Sequence, residues 1–137
     1  MQMMGAAAAL AFALSTGLFF GTAEAQTPQV PKGRYCGDLV SGGSSVKVET
    51  EFSIAPDGHL AGRYTFADGE GETSGWLIEA DASEGLLKRL RWADKYGAGR
   101  LVISFSADYS SFSGLWAAKE AQPSEAWNGR RCGESTA

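Results

Sequence analysis

The chain has 137 residues, 12 basic and 16 acidic side chains, a net charge of −4, two cysteines and a single histidine. Its mildly acidic, sign-mixed balance excludes a nucleic-acid backbone as partner, which would require a basic face. With one histidine and two distant cysteines it also argues against a metal centre or a dithiol redox motif.

From Gly5 to Phe20 no charge appears, and the sequence then reaches Ala23-Glu24-Ala25 before turning polar. This is the pattern of a secretory signal peptide over 1–25, too short and Ala-rich to be a good membrane anchor. Its removal leaves about 110 residues, enough for one domain and too few for two, with no integral membrane segment. Residues 26–32 read as a linker, 33–132 as the folded domain and 133–137 as a tail, the whole destined for the periplasm or the extracellular space. In that oxidising setting Cys36 and Cys132 are expected to form a disulfide.

Beyond Lys32 apolar and polar residues alternate with period two, without helical periodicity, and turn residues interrupt every eight to twelve positions. Eight strands are predicted, over 34–40, 45–55, 59–66, 74–80, 86–93, 100–106, 111–118 and 126–131. Asp57-Gly58, Asp68-Gly69 and the Gly-containing stretches 81–85 and 94–99 supply the positive φ of hairpin turns. The alternation sends Tyr35, Phe52, Ile54, Tyr64, Phe66, Trp76, Ile78, Leu90, Trp92, Leu101, Phe105, Phe112, Trp116 and Trp127 to one face. Lys47, Glu49, Arg63, Glu79, Arg89, Arg91 and Arg100 fall on the other. Inward aromatics interleaved with Gly37, Gly62, Gly114 and Gly129 suit an all-β, eight-stranded antiparallel up-and-down barrel, with a β-sandwich as the alternative. Pairing of the first strand with the last would bring the two cysteines together.

In such a barrel the longer turns gather at one end, the expected mouth, and the strand directions place all four tryptophans there. Trp76, Trp92, Trp116 and Trp127, with Tyr64 and Tyr96, are therefore the candidate binding residues for a small planar or sugar-like ligand, a small molecule or a glycan. Eight strands leave interior room only for side chains or one small ligand, so the same indoles could simply plug the barrel. Leu77, Leu87, Val102 and Leu115 point outward from neighbouring strands and form a candidate apolar strip for a protein partner or self-association, unless register or the Arg89 and Arg91 stems hide it. Asp68, Glu70 and Glu72 read as a solvated turn, and His59 beside Asp57 as an exposed turn residue. No catalytic group, metal or cofactor is expected, and an enzyme is the least favoured class.

Gly33-Arg34-Tyr35, Phe112-Ser113-Gly114-Leu115-Trp116 and Trp127-Asn128-Gly129-Arg130 resemble the recurring motifs of small bacterial lipocalin-like and avidin-like barrels, of calycin type, over residues 33–131. In lipocalins a first-strand Trp is packed by a basic residue from the far end of the chain. Tyr35 occupies that place here, and the resemblance implies Arg130 or Arg131 as its partner. These motifs inform the fold and specify no ligand. The leading expectation is an exported, non-catalytic binding module with the Trp-rich mouth as its site. The alternative is a protein-interaction module, an inhibitor or envelope accessory protein acting through its loops or the outer strip of Leu77, Leu87, Val102 and Leu115.

Overall fold

The computed structural model describes residues 30–80 and 85–133, together with Gly17. The rest of the expected signal peptide, residues 26–29 of the linker, the turn at 81–84 and the tail at 134–137 lie outside the described residues.

Eight strands run β1 (Gly33–Ser41), β2 (Ser44–Ile54), β3 (Leu60–Ala67), β4 (Glu72–Glu79), β5 (Leu87–Asp94), β6 (Gly97–Phe105), β7 (Ser111–Ala118) and β8 (Glu125–Gly133). Each pairs antiparallel with its chain neighbours, and β1 pairs with β8, so the sheet closes into a barrel and the sandwich alternative falls away. The closing register runs from Arg34↔Gly133 through Tyr35↔Arg131 to Leu39↔Trp127, so Cys132 is the extra residue of a bulge on β8. From there it bonds Cys36 on the outside of the barrel, with Cα atoms 5.7 Å apart at a sequence separation of 96.

Period-two alternation fixes which side chains fill the interior. The end away from the mouth is packed solid by Tyr35, Phe52, Phe105 and Phe112, whose ring centroids lie 5.4–5.9 Å apart, mostly edge to face. Each of these rings is at most 4 % exposed. Ile54, expected inside, is 42 % exposed at the last position of β2.

The β8 guanidinium that reaches back to the first strand is that of Arg131. It lies 5.0 Å from the Tyr35 ring centroid and donates to the Tyr35 hydroxyl (2.9 Å), Lys32 O (2.6 Å) and Tyr109 O (3.1 Å), while the Tyr35 hydroxyl itself donates to Tyr109 O. One side chain thus ties β1, β8, the β6–β7 turn and the segment preceding β1 into a floor. Arg131→Leu is expected to cost about 1.5–3 kcal/mol, the range for hydrogen bonds to a charged group, with Arg131→Lys recovering only part because an ammonium cannot serve all these oxygens at once. Urea unfolding of the two variants checks this, and equal stability of Arg131→Leu and wild type would remove Arg131 from the floor.

One strand departs from the expected phase. On β4 Thr73, Gly75 and Leu77 point inward, whereas Trp76 and Ile78 are 60 % and 63 % exposed on the outer wall. This phase puts Gly75 against Tyr64, where a Cβ would stand 2.3 Å from the phenol ring and hydroxyl and 2.6 Å from Ala93 O, so glycine fits the inward position that a larger residue would not. Leu77, 1 % exposed, consequently belongs to the core and not to the outer strip. Glu79 also turns inward, accepting from Leu60 N–H at 3.0 Å with the Lys88 ammonium 3.9 Å away.

Candidate functional site

At the other end the β1–β2, β3–β4, β5–β6 and β7–β8 turns surround an opening. Trp92 on β5, Trp116 on β7 and Trp127 on β8 reach it from the inward face together with Tyr64 and Phe66 of β3. They line a cleft of about 110 Å³ with Leu39, Ser41, Asp94 and Tyr96. Trp127 meets Tyr64 edge-on at 4.8 Å, and Trp92 meets Trp116 edge-on at 5.5 Å.

Every one of these three indole N–H groups is committed to the protein: Trp92 to Ala117 O (3.1 Å), Trp116 to Val40 O (2.9 Å) and Trp127 to the Thr50 hydroxyl (3.1 Å). The bonds satisfy donors that would otherwise be costly to bury, and they hold the rings in place. Gly99 makes room for one of them, since a Cβ there would lie 2.8 Å from the Trp92 indole and 2.0 Å from Ala117 O. The cleft therefore presents aromatic carbon and few donors.

Its polar end is Asp94. The Tyr64 hydroxyl donates to Asp94 Oδ2 at 2.6 Å, and the backbone N–H of Tyr96 donates to Oδ1 at 2.8 Å. Burial, followed by the Asp94 hydrogen bond and charge, pushes the Tyr64 phenol far above its ordinary range, so it remains a proton donor. At the rim Asp68 accepts hydrogen bonds from the Thr73 hydroxyl and the Tyr96 hydroxyl (3.0 Å), with the Lys95 ammonium 3.2 Å away. The Thr73 bond, then those of Tyr96 and Lys95, hold its carboxyl down to about 2 from an ordinary 3.8. That knot stabilises the rim above the ordinary value and is lost as pH falls through about 2. It joins the β3–β4 turn to the β5–β6 turn and places the Tyr96 ring 6.5 Å from Phe66, over one side of the opening.

Five of the six expected binding residues, Tyr64, Trp92, Tyr96, Trp116 and Trp127, therefore share one cleft. Trp76 does not; it lies on the outer wall with the Arg63 guanidinium 5.2 Å from its ring centroid. Asp94 and Ser41 are lining residues that the expected set omitted. Continuing the inward phase of Leu90 and Trp92 reaches Asp94, and continuing that of Leu39 reaches Ser41, so the signal was the alternation itself, carried one step past each strand's apolar part.

Of the outer strip, Leu87, Val102 and Leu115 do point outward, and Val102 and Leu115 are cross-strand neighbours. With Pro123 and Ala126 they line a shallow cleft of about 490 Å³ on the barrel wall. His59 sits in the β2–β3 turn at the opposite end from the mouth, exposed and 3.1 Å from Asp57. Among the described residues no helix is long and apolar enough to cross a membrane. No family model matches this chain, and no curated protein matches it.

Proposed function

We propose that this barrel is an exported, non-catalytic binding module of the lipocalin-like and avidin-like kind, whose mouth takes a small flat ligand of about one ring. The observation that carries the reading is the cleft walled by Tyr64, Trp92, Trp116 and Trp127 with a single carboxylate, Asp94, at its polar end. At about 110 Å³ it is well below the roughly 300–1,000 Å³ of sites that engulf a drug-sized molecule, so the ligand is small. A flat ring fits better than a sugar, because a sugar's hydroxyls need polar partners and the indole donors are already engaged. A ring bearing an N–H or O–H donor suits Asp94, which can accept but not donate. Export is supported by the leader-like segment before Gln26 and by the disulfide, which belongs to an oxidising compartment.

Titration of the mature protein with indole, phenol and anilinium, read by tryptophan fluorescence and by melting temperature, tests this. At least one should quench the emission and raise the melting point, and Asp94→Asn, which keeps an acceptor for Tyr64, should weaken the best donor-bearing ring about tenfold. Unchanged fluorescence and melting with all of them at millimolar concentration would end the proposal.

A further inference from the structure

The outer wall of β4, β5 and β6 has a composition unlike the rest of the surface. The registers line up Ile78, Arg91 and Arg100 across the three strands, with Trp76, Ala93 and Ala98 in the next row toward the mouth. On the other side Arg89 pairs with Val102, which pairs with Leu115. No outward carboxylate comes from β5, β6 or β7; every charged outward residue there is arginine. Apart from Glu72 at the mouth end of β4, the carboxylate that the wall holds arrives from the β7–β8 turn. Glu120 reaches over to accept from Arg91 at 3.0 Å and Arg100 at 2.5 Å.

Two guanidinium groups from adjacent strands converging on one carboxylate make a carboxylate site, whichever chain supplies the acid. The resident acid lies at the surface, where a second carboxylate can compete for the same two guanidiniums. Glu120 is 66 % exposed, and exposed ion pairs of this kind contribute little, so another carboxylate can displace it. Beneath the turn lies a groove of about 550 Å³ lined by Arg89, Arg91, Arg100, Val102, Glu120 and Pro123. In the register, Ile78 stands beside Arg91 and Trp76 one row further, both largely exposed. Arginine, tryptophan and an aliphatic side chain grouped on a surface are the ingredients of an interface hot spot.

We infer that this wall docks an acidic segment of a partner protein, whose carboxylate takes the place of Glu120 on Arg91 and Arg100 while a neighbouring apolar side chain settles on Ile78 and Trp76. The charge of the wall selects an acid. The overhanging turn shapes the site into a groove that a narrow peptide segment enters and a flat bilayer does not, and Ile78 and Val102 call for the aliphatic side chains that a glycan lacks. The inference is independent of the mouth and of any ligand bound there.

Fluorescence anisotropy of a labelled short peptide alternating glutamate with leucine, at low salt, provides the test. The wild type should bind it, and Glu120→Gln should bind it roughly three- to tenfold more tightly because the competing carboxylate is gone. Arg91→Gln with Arg100→Gln should weaken it about tenfold or more, Ile78→Ser should weaken it too, and the glutamine version of the peptide should not bind. Glu120 is an exposed turn residue outside the core, so Glu120→Gln, checked by an unchanged melting temperature, keeps the test sound if another variant proves unstable. Unchanged affinity in Glu120→Gln, indifference to the double arginine change, or capture of heparin fragments or phosphatidylglycerol vesicles in place of the peptide would overturn the inference.

Discussion

Replacing Cys36 and Cys132 together with serine should lower the free energy of unfolding by roughly 4–5 kcal/mol, the chain-entropy value for closing so long a loop. The bond joins the first strand to the bulge of the last, so it constrains nearly the whole domain in the unfolded state while adding little to contacts that the β1–β8 ladder already makes. Against a total stability of about 5–15 kcal/mol for a domain of this kind, that is a large share. The reduced or doubly substituted protein should therefore be marginal at 37 °C, with its urea midpoint far below that of the oxidised form. Coincident urea curves for the two would mean that the closed β ladder alone sets the stability.

Gly37→Ala is expected to be nearly as damaging, costing about 3 kcal/mol or more. Gly37 faces Gly129 across the closing seam, and a Cβ there would stand 1.9 Å from Asn128 O, 2.7 Å from its carbonyl carbon and 2.8 Å from the Gly129 Cα. All three are backbone atoms of β8, so no side chain can rotate aside; the seam itself has to part and forfeit ladder hydrogen bonds. Gly71→Ala is the matched control, because a Cβ there meets nothing within 4 Å and the backbone is not in the left-handed region. Urea unfolding should separate the two variants clearly. If Gly37→Ala were as benign as Gly71→Ala, the tight approach of β1 to β8 would be disproved.

The barrel was legible because its determinants are local and periodic. Alternation around Tyr35, Phe52, Leu101 and Phe112 fixed the inner face, turn residues fixed the strand count, and two cysteines bracketing the domain marked which strands must meet. Strand β4 was misread because Trp76, Leu77 and Ile78 are consecutive apolar residues without a polar partner to set the phase. Hydrophobicity favours sending the two flanking residues inward, whereas in the barrel Leu77 is inward and Gly75 takes the tight place beside Tyr64. A subtler cue was present: Gly62, Gly99 and Gly114 each stand two residues before an inward Tyr64, Leu101 and Trp116, and Gly75 stands two before Leu77 in the same way. At the mouth, the aromatic cluster followed from strand direction, but the engagement of all three indole donors and the Asp68 knot depend on long-range partners such as Val40, Thr50 and Lys95 that no local pattern announces.

Closure of the ladder between β1 and β8 has a consequence for how anything can attach to this molecule. Every strand has a paired neighbour on both sides, so among the described residues the sheet has no edge strand for a foreign strand to extend, although β4 and β5 pair only over Trp76–Glu79. Closure thus removes the free edge strand through which folded sheets polymerise, and a visitor to the barrel wall is read chiefly through side chains.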